Sequence, residues 1–212
     1  MRMPHDATNP LPSHPPRRAL ARRRMLATGA GLLALAVLPH AQAVEFEGQT
    51  FPDHLTLADT PLQLNGVGLR AAYFIKGYTA ALYLSGRARS LAEAMALPGP
   101  KRLQMRLLLS VGPEEFSKAL VAGVRKNASE EELRALDARI HALDAVIRTL
   151  PKSHKGDVVD LDFDPPRGMT LALNGRVRGA PIEGADFYAA VLGIFIGERP
   201  IDQRLKKGLL GL

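Results

Sequence analysis

The residue with the strongest claim to chemistry is Arg70. It follows an Asn65-Gly66-Val67-Gly68 turn signal, one residue on, and heads a run of apolar and aromatic residues, Ala71-Ala72-Tyr73-Phe74-Ile75. A guanidinium in apolar surroundings must be paired or must hold an anion, because an uncompensated buried charge is very costly. Two readings follow from the residues alone. Arg70 is a structural ion-pair partner or a side chain snorkelling at a strand edge, or it is an anion-binding group. Other constellations carry less. His54, His141 and His154 are far apart and lack ligand-like spacing, so they read as scattered surface histidines rather than a metal or triad set. Asp160, Asp162 and Asp164 alternate with apolar residues instead of surrounding a glycine turn, which predicts a solvated strand face rather than a calcium loop. Gly66-x-Gly68 precedes no helix and is read as backbone freedom at a bulge, not a phosphate loop. No residue is assigned as catalytic, and no metal or cofactor is expected.

The elements that must position Arg70 are mostly strands. Tyr78, Ala80, Leu82 and Leu84 alternate with Thr79, Ala81, Tyr83 and Ser85, the period of a strand. Ser90 to Leu97 is a short helix stopped by Pro98-Gly99-Pro100. Leu103, Met105, Leu107, Leu109 and Val111 form the apolar face of another strand. Gly112-Pro113-Glu114-Glu115 starts a helix, with proline at its first position and acids at the positive end of the dipole. Ser129 and Glu132 form a capping box for a second helix, whose apolar stripe runs through Leu133, Leu136, Ile140, Leu143, Ile147 and Leu150. That stripe suits packing on the protein's own sheet or a coiled-coil partner. After it, Val159 to Asp164 is a strand, and Asn174-Gly175 turns the hairpin between residues 169–173 and 176–178. A long helix spans Phe187 to Phe195, and a short helical tail spans Leu205 to Leu212. Strands, helices, strands and a helix in that order predict an α+β domain, with helices on one face of an antiparallel sheet.

The first 43 residues read differently. Six arginines, opposed by Asp6 alone, precede an uncharged Ala- and Leu-rich run from Met25 to Leu38, and Ala41-Gln42-Ala43 closes it with small residues. Basic, apolar, small-x-small is the order of a cleaved signal peptide. The apolar run is shorter than the roughly 20 residues a spanning helix needs, so no stable membrane insertion is expected after cleavage. Arg22-Arg23-Arg24-Met25-Leu26 has twin-arginine character; a general secretory signal with extra arginine is the alternative. Residues 1–43 are thus expected to be removed, leaving residues 44–212 as one periplasmic domain. The whole chain carries 28 Lys and Arg against 21 Asp and Glu. Setting aside the leader's six bases and one acid leaves 22 against 20, so the apparent basicity belongs mostly to the leader and gives no case for nucleic-acid binding. The chain has no cysteine, which excludes disulfides and thiolate chemistry.

Three stretches, in order, resemble the chalcone isomerase-like superfamily, in its exported bacterial branch. They are Asn65 to Arg70 continuing through Gly77 to Gly86, Leu107 to Ser117, and Gly184 to Lys206. The resemblance implies an open-faced β-sandwich: a large antiparallel sheet with a helical layer and a ligand cleft between them. In the true isomerases an Arg, a Thr and a Tyr line that cleft. The resemblance maps the Arg onto Arg70, the Thr onto Thr79 across a shorter connection, and the Tyr onto Phe116. Ring closure moves negative charge onto an enolate, and phenylalanine has no hydroxyl with which to support it. Loss of one such donor commonly costs about 10²–10³ in rate.

Two functions of different class are therefore expected to compete. One is a non-catalytic binding protein whose cleft holds an apolar carboxylate such as a fatty acid, as the resemblance to non-catalytic superfamily members implies, with Arg70, Thr79 and Phe116 around the ligand. The other is an intramolecular lyase acting on a chalcone or another enone. Phe116 favours the first. The expected partner is a small apolar anion.

Overall fold

The computed structural model describes residues 42–212. The leader, apart from its last two residues, lies outside the described residues. The chain first forms a two-stranded hairpin of β1 (Ala43–Phe46) and β2 (Gln49–Pro52). A seven-stranded antiparallel sheet then follows in strict sequence order: β3 (His54–Leu57), β4 (Thr60–Ala72), β5 (Ile75–Leu84), β6 (Lys101–Leu107), β7 (Val158–Asp164), β8 (Gly168–Leu173) and β9 (Arg176–Ile182). The helices are inserted between or after these strands. They are α1 (Leu91–Ala96), α2 (Pro113–Asn127), α3 (Glu130–Arg148), α4 (Ala185–Ile196) and α5 (Gln203–Leu210). The result is the expected α+β fold.

Local chemistry accounts for most element ends. Ser90 caps α1 by accepting from the Glu93 N–H at 3.1 Å. Proline opens α2, with Glu114 and Glu115 in its first turn and Arg125 and Lys126 in its last, complementing the dipole at both ends. The Ser129–Glu132 capping box is complete. Ser129 Oγ accepts from the Glu132 N–H, and the Glu132 carboxylate accepts from the Ser129 N–H at 2.7 Å. Asn174 and Gly175 sit at φ 53° and 73°. Those positive values are what a type I′ hairpin from β8 into β9 requires.

Strand alternation divides the sheet into two unlike faces. On one, Ala80, Leu82 and Leu84 of β5 join Leu103 and Met105 of β6, Val159, Leu161 and Phe163 of β7, and the apolar sides of all five helices in a single core. The α3 stripe belongs here: Leu136, Ile140, Leu143 and Ile147 are buried in the protein's own core. On the other face, Phe51, Leu62, Leu64, Ala81 and Tyr83 form a smaller cluster.

Two expectations need correction. The strand through Leu103 ends at Leu107, so Leu109 and Val111 lie beyond it, and Val111 makes only an isolated bridge to Ser153. Asp160 and Asp162 are not on a solvated face; both are buried. The reason is cross-strand pairing. Asp162 lies opposite Arg102, whose Nε and Nη2 donate to its two oxygens at 2.6 Å each, and Asp160 lies opposite Gln104, which donates to it at 2.9 Å. Such pairing offsets the cost of removing charge from water.

The Asn65-Gly66-Val67-Gly68 segment is a bulge, as expected. The β4–β5 register shifts between Leu64 and Gly66. Asn65, buried, donates to the carbonyls of Ala88 and Leu209 at 2.9 and 2.8 Å and accepts from the Ala88 N–H at 2.8 Å. The two glycines let α5 lie against the β4 backbone: a Cβ on Gly68 would stand 2.7 Å from the Leu205 carbonyl oxygen, and one on Gly66 would collide with the Gly208 carbonyl.

Candidate functional site at the β4–β5 ladder

Arg70 lies near the end of β4, immediately before a second register shift at Ala71. Its cross-strand partner is Tyr78, and Tyr78 in turn pairs with Leu107 of β6. Directly opposed residues in an antiparallel ladder project to the same side, and Tyr78 packs against the helix-side core. Arg70 therefore belongs to the helix-covered side. From Leu107 the chain crosses a short connection into α2, and Phe116, half-buried against the same core, lies in the first turns of that helix. Arg70, Tyr78 and Phe116 are thus at one end of the sheet, on one side of it.

Thr79 is not with them. It pairs with Leu69 and Arg106, one residue out of phase with the Arg70–Tyr78 pair, so it projects to the opposite face. It is fully buried, and its Oγ1 has no hydrogen-bond partner among the described residues. The expected convergence of Arg70 and Thr79 is replaced by that of Arg70 and Tyr78. Tyr78 is visible within the β5 alternation, but only the register assigns it to Arg70. Burial pushes the Tyr78 hydroxyl well above its ordinary pKa, so it is a neutral donor at physiological pH.

The guanidinium is partly engaged. Nη1 donates to the Ala71 carbonyl at 2.6 Å and stands 3.5 Å from Asp202 Oδ2. Asp202 is the N-cap of α5: its Oδ1 accepts from the Arg204 and Leu205 N–H groups at 2.8 and 3.2 Å, and Oδ2 takes the Ala71 N–H at 3.4 Å. Burial alone would raise the Asp202 pKa, yet the backbone donors of Leu205, Arg204 and Ala71, with the Arg70 charge, hold it below the usual carboxylate value. Among the described residues Nε and Nη2 of Arg70 have no partner, and the side chain is 25% exposed. The apolar run after Arg70 does not surround it. Tyr73, Phe74 and Ile75 form the exposed tip of the β4–β5 hairpin.

Two hollows bear on the site. One, of about 360 Å³, lies between β4 and α5 and is lined by Glu47, Leu69, Ala71, Arg204 and Lys207, among others. The other, of about 400 Å³, lies among the helices, with Leu91, Leu136 and Ala190 in its apolar lining. Its ionisable groups are Glu132, Asp186, Glu198 and Arg199, a predominantly acidic set that suits an organic anion poorly. Neither is lined by Arg70, Thr79 or Phe116. His54, His141 and His154 are exposed and separate, and the described residues contain no cluster of metal-ligating side chains.

Comparison with known proteins agrees with this architecture. A fatty-acid binding protein of Arabidopsis thaliana superposes with a TM-score of 0.59 at 16% identity, over 80% of this chain and 96% of its own. At that identity the likeness is one of fold. No curated protein matches the sequence significantly. The model of the family described as chalcone isomerase-like, however, matches residues 43–211. With its seven-stranded antiparallel sheet and one-sided helical layer, this chain belongs to the chalcone isomerase-like family.

Proposed function

We propose that the protein is an exported, periplasmic, non-catalytic member of its family that binds an apolar carboxylate such as a fatty acid between sheet and helices. The observation that carries this reading is the state of Arg70. Its ion pair with Asp202, at 3.5 Å, is long. A strong charge-assisted bond spans about 2.7–2.9 Å. That carboxylate is also already committed to capping α5. Nε and Nη2 remain for a second anion. A ligand carboxylate there would meet the Tyr78 hydroxyl on the same side of the ladder, and Phe116 would serve as apolar wall. The family fold is one that the Arabidopsis fatty-acid binding protein also has, which supports the ligand class. Phe116 removes the hydroxyl that an isomerase would use, so binding without turnover is the function this geometry supports best.

The decisive experiment is native mass spectrometry of protein purified without delipidation, followed by titration of the stripped protein with oleate and with methyl oleate. The expected result is a bound acid of one to one stoichiometry and a clear preference for the free acid. Equal affinity for acid and ester, or no binding of either, overturns the proposal.

A further inference from the structure

The β4–β5 hairpin ends in a feature that neither core nor ligand site explains. Ala72 pairs with Ile75, so Tyr73 and Phe74 form a two-residue loop. They are 96% and 100% exposed, and Ile75 is 64% exposed. Two-residue hairpin loops favour glycine or asparagine, because one or both positions need positive φ. Here Tyr73 takes that position at φ 53°. A bulky side chain in the left-handed region is uncommon and strained. The chain thus has a costly residue type at its turn and recovers no burial from it within the described residues.

The surroundings of the tip are basic. Lys76 follows it and pairs with Glu47 at 2.5 Å, and Arg70 pairs with Asp202. Arg204 and Lys207, exposed on α5, line the hollow that reaches Ala71 at the base of the hairpin, and among the described residues neither lies within ion-pair distance of an acid. The same hollow includes the apolar side chains of Phe46 and of Leu212, the latter 64% exposed. An aromatic and aliphatic tip, bearing one tyrosine with its polar end, near Arg204 and Lys207, against which the hollow sets only Glu47, itself paired with Lys76, is complementary to one kind of surface: an apolar interior beneath a negatively charged polar layer.

We propose that the Tyr73-Phe74-Ile75 tip is a peripheral docking element for anionic bilayers, inserting to the headgroup boundary while Arg204 and Lys207 meet lipid phosphates. This docking is peripheral, and no described helix is long and apolar enough to cross a membrane. It does not depend on Arg70 holding a ligand. Docking would set the Arg70 end of the sheet toward the bilayer.

The test is co-sedimentation of the purified protein with vesicles of phosphatidylcholine alone and of phosphatidylcholine with phosphatidylglycerol. Two variants are compared with the parent chain: Tyr73→Gly with Phe74→Ser, and Arg204→Gln with Lys207→Gln. The expected result is partition into the anionic vesicles that falls at least tenfold, about 1.4 kcal/mol, in the tip variant. The cation variant should fall severalfold on anionic vesicles only. The tip variant should melt no lower than the parent, since it relieves the strain at Tyr73, so a loss of binding cannot be ascribed to unfolding. Absence of vesicle binding overturns the proposal, as does binding indifferent to the tip variant. A concentration-dependent dimer abolished by the tip variant, in sedimentation velocity, would assign the tip to a second copy and overturn it equally.

Discussion

Arg70 and Tyr78 oppose each other across the β4–β5 ladder on the helix-covered side of the sheet, while Thr79, the next residue, projects to the other face. That one-residue phase difference decides which hydroxyl can meet an anion held by Arg70. Arg70→Ala should weaken binding of an apolar carboxylate about tenfold to a hundredfold, because hydrogen bonds to charged groups contribute about 1.5–3 kcal/mol. Arg70→Lys should recover only part, since lysine lacks the planar fork. Tyr78→Phe should weaken binding, and Thr79→Val should leave it unchanged. Asp202→Asn retains an N-capping side chain but removes the competing negative charge, so it should tighten binding severalfold. Calorimetric titration with oleate reads all five; an unchanged Kd for Arg70→Ala rejects the site.

Phe116 bears on catalysis. Loss of hydroxychalcone absorbance should not exceed the spontaneous rate by more than a small factor, because phenylalanine offers no donor to the developing enolate. If slow turnover is measured, Phe116→Tyr should raise it. Rapid turnover by the unmodified protein would return it to the isomerases.

Tyr83 gives the sheet a pH dependence. Burial pushes its hydroxyl up to about 12, against the lowering effect of Arg106 and Arg102. Its folded pKa thus exceeds the unfolded value of about 10. The stability contributed by the protonated phenol is complete below about pH 10 and is lost as pH rises through about 12. Tyr83→Phe should flatten this alkaline loss in urea titrations at pH 8 and 11. The hydroxyl has no partner among the described residues. At neutral pH the substitution should therefore shift stability by no more than about 1 kcal/mol. A markedly larger loss at neutral pH would show that the hydroxyl is bonded.

Gly68 is where α5 meets β4. Gly68→Ala places a methyl 2.7 Å from the Leu205 carbonyl oxygen, backbone that cannot easily yield. Overpacking of this kind costs about 1–3 kcal/mol, and amide exchange should quicken first in α5, with Asp202 and its contact to Arg70 displaced. Exchange unchanged in α5 would mean that the helix is held elsewhere.

The proposed export rests on the sequence of residues 1–43. If they are removed as a signal peptide, the protein recovered from the periplasm should begin at Val44 by N-terminal sequencing, and a stable form that keeps them in the cytoplasm rejects the proposal. Replacing Arg22 and Arg23 with lysine should arrest a twin-arginine substrate; unaffected export would point to the general secretory route.

Features set by a few neighbouring residues are open to reading from the chain alone. The Ser90 cap, the proline start of α2, the Ser129–Glu132 capping box and the Asn174-Gly175 turn each satisfy backbone groups within a few positions, so their residue types announce them. Alternation in β5 also reveals two faces. It cannot reveal which residue of β5 stands opposite Arg70, because register follows from the turn, and the turn at Tyr73-Phe74 carries no glycine or asparagine to mark it. The burial of Asp160 and Asp162 is hidden for a related reason: an acid alternating with apolar residues looks solvated until Arg102 and Gln104, more than fifty residues away, are brought opposite by β6. The residues alone determined the α+β class and the capped helix starts, and singled out Arg70 as either an ion-pair partner or an anion-binding group, between which the family resemblance chose. Only tertiary structure paired Arg70 with Tyr78, tethered it loosely to Asp202 and left the aromatic tip in solvent, because strand register and helix docking are non-local and no short window of sequence contains both partners.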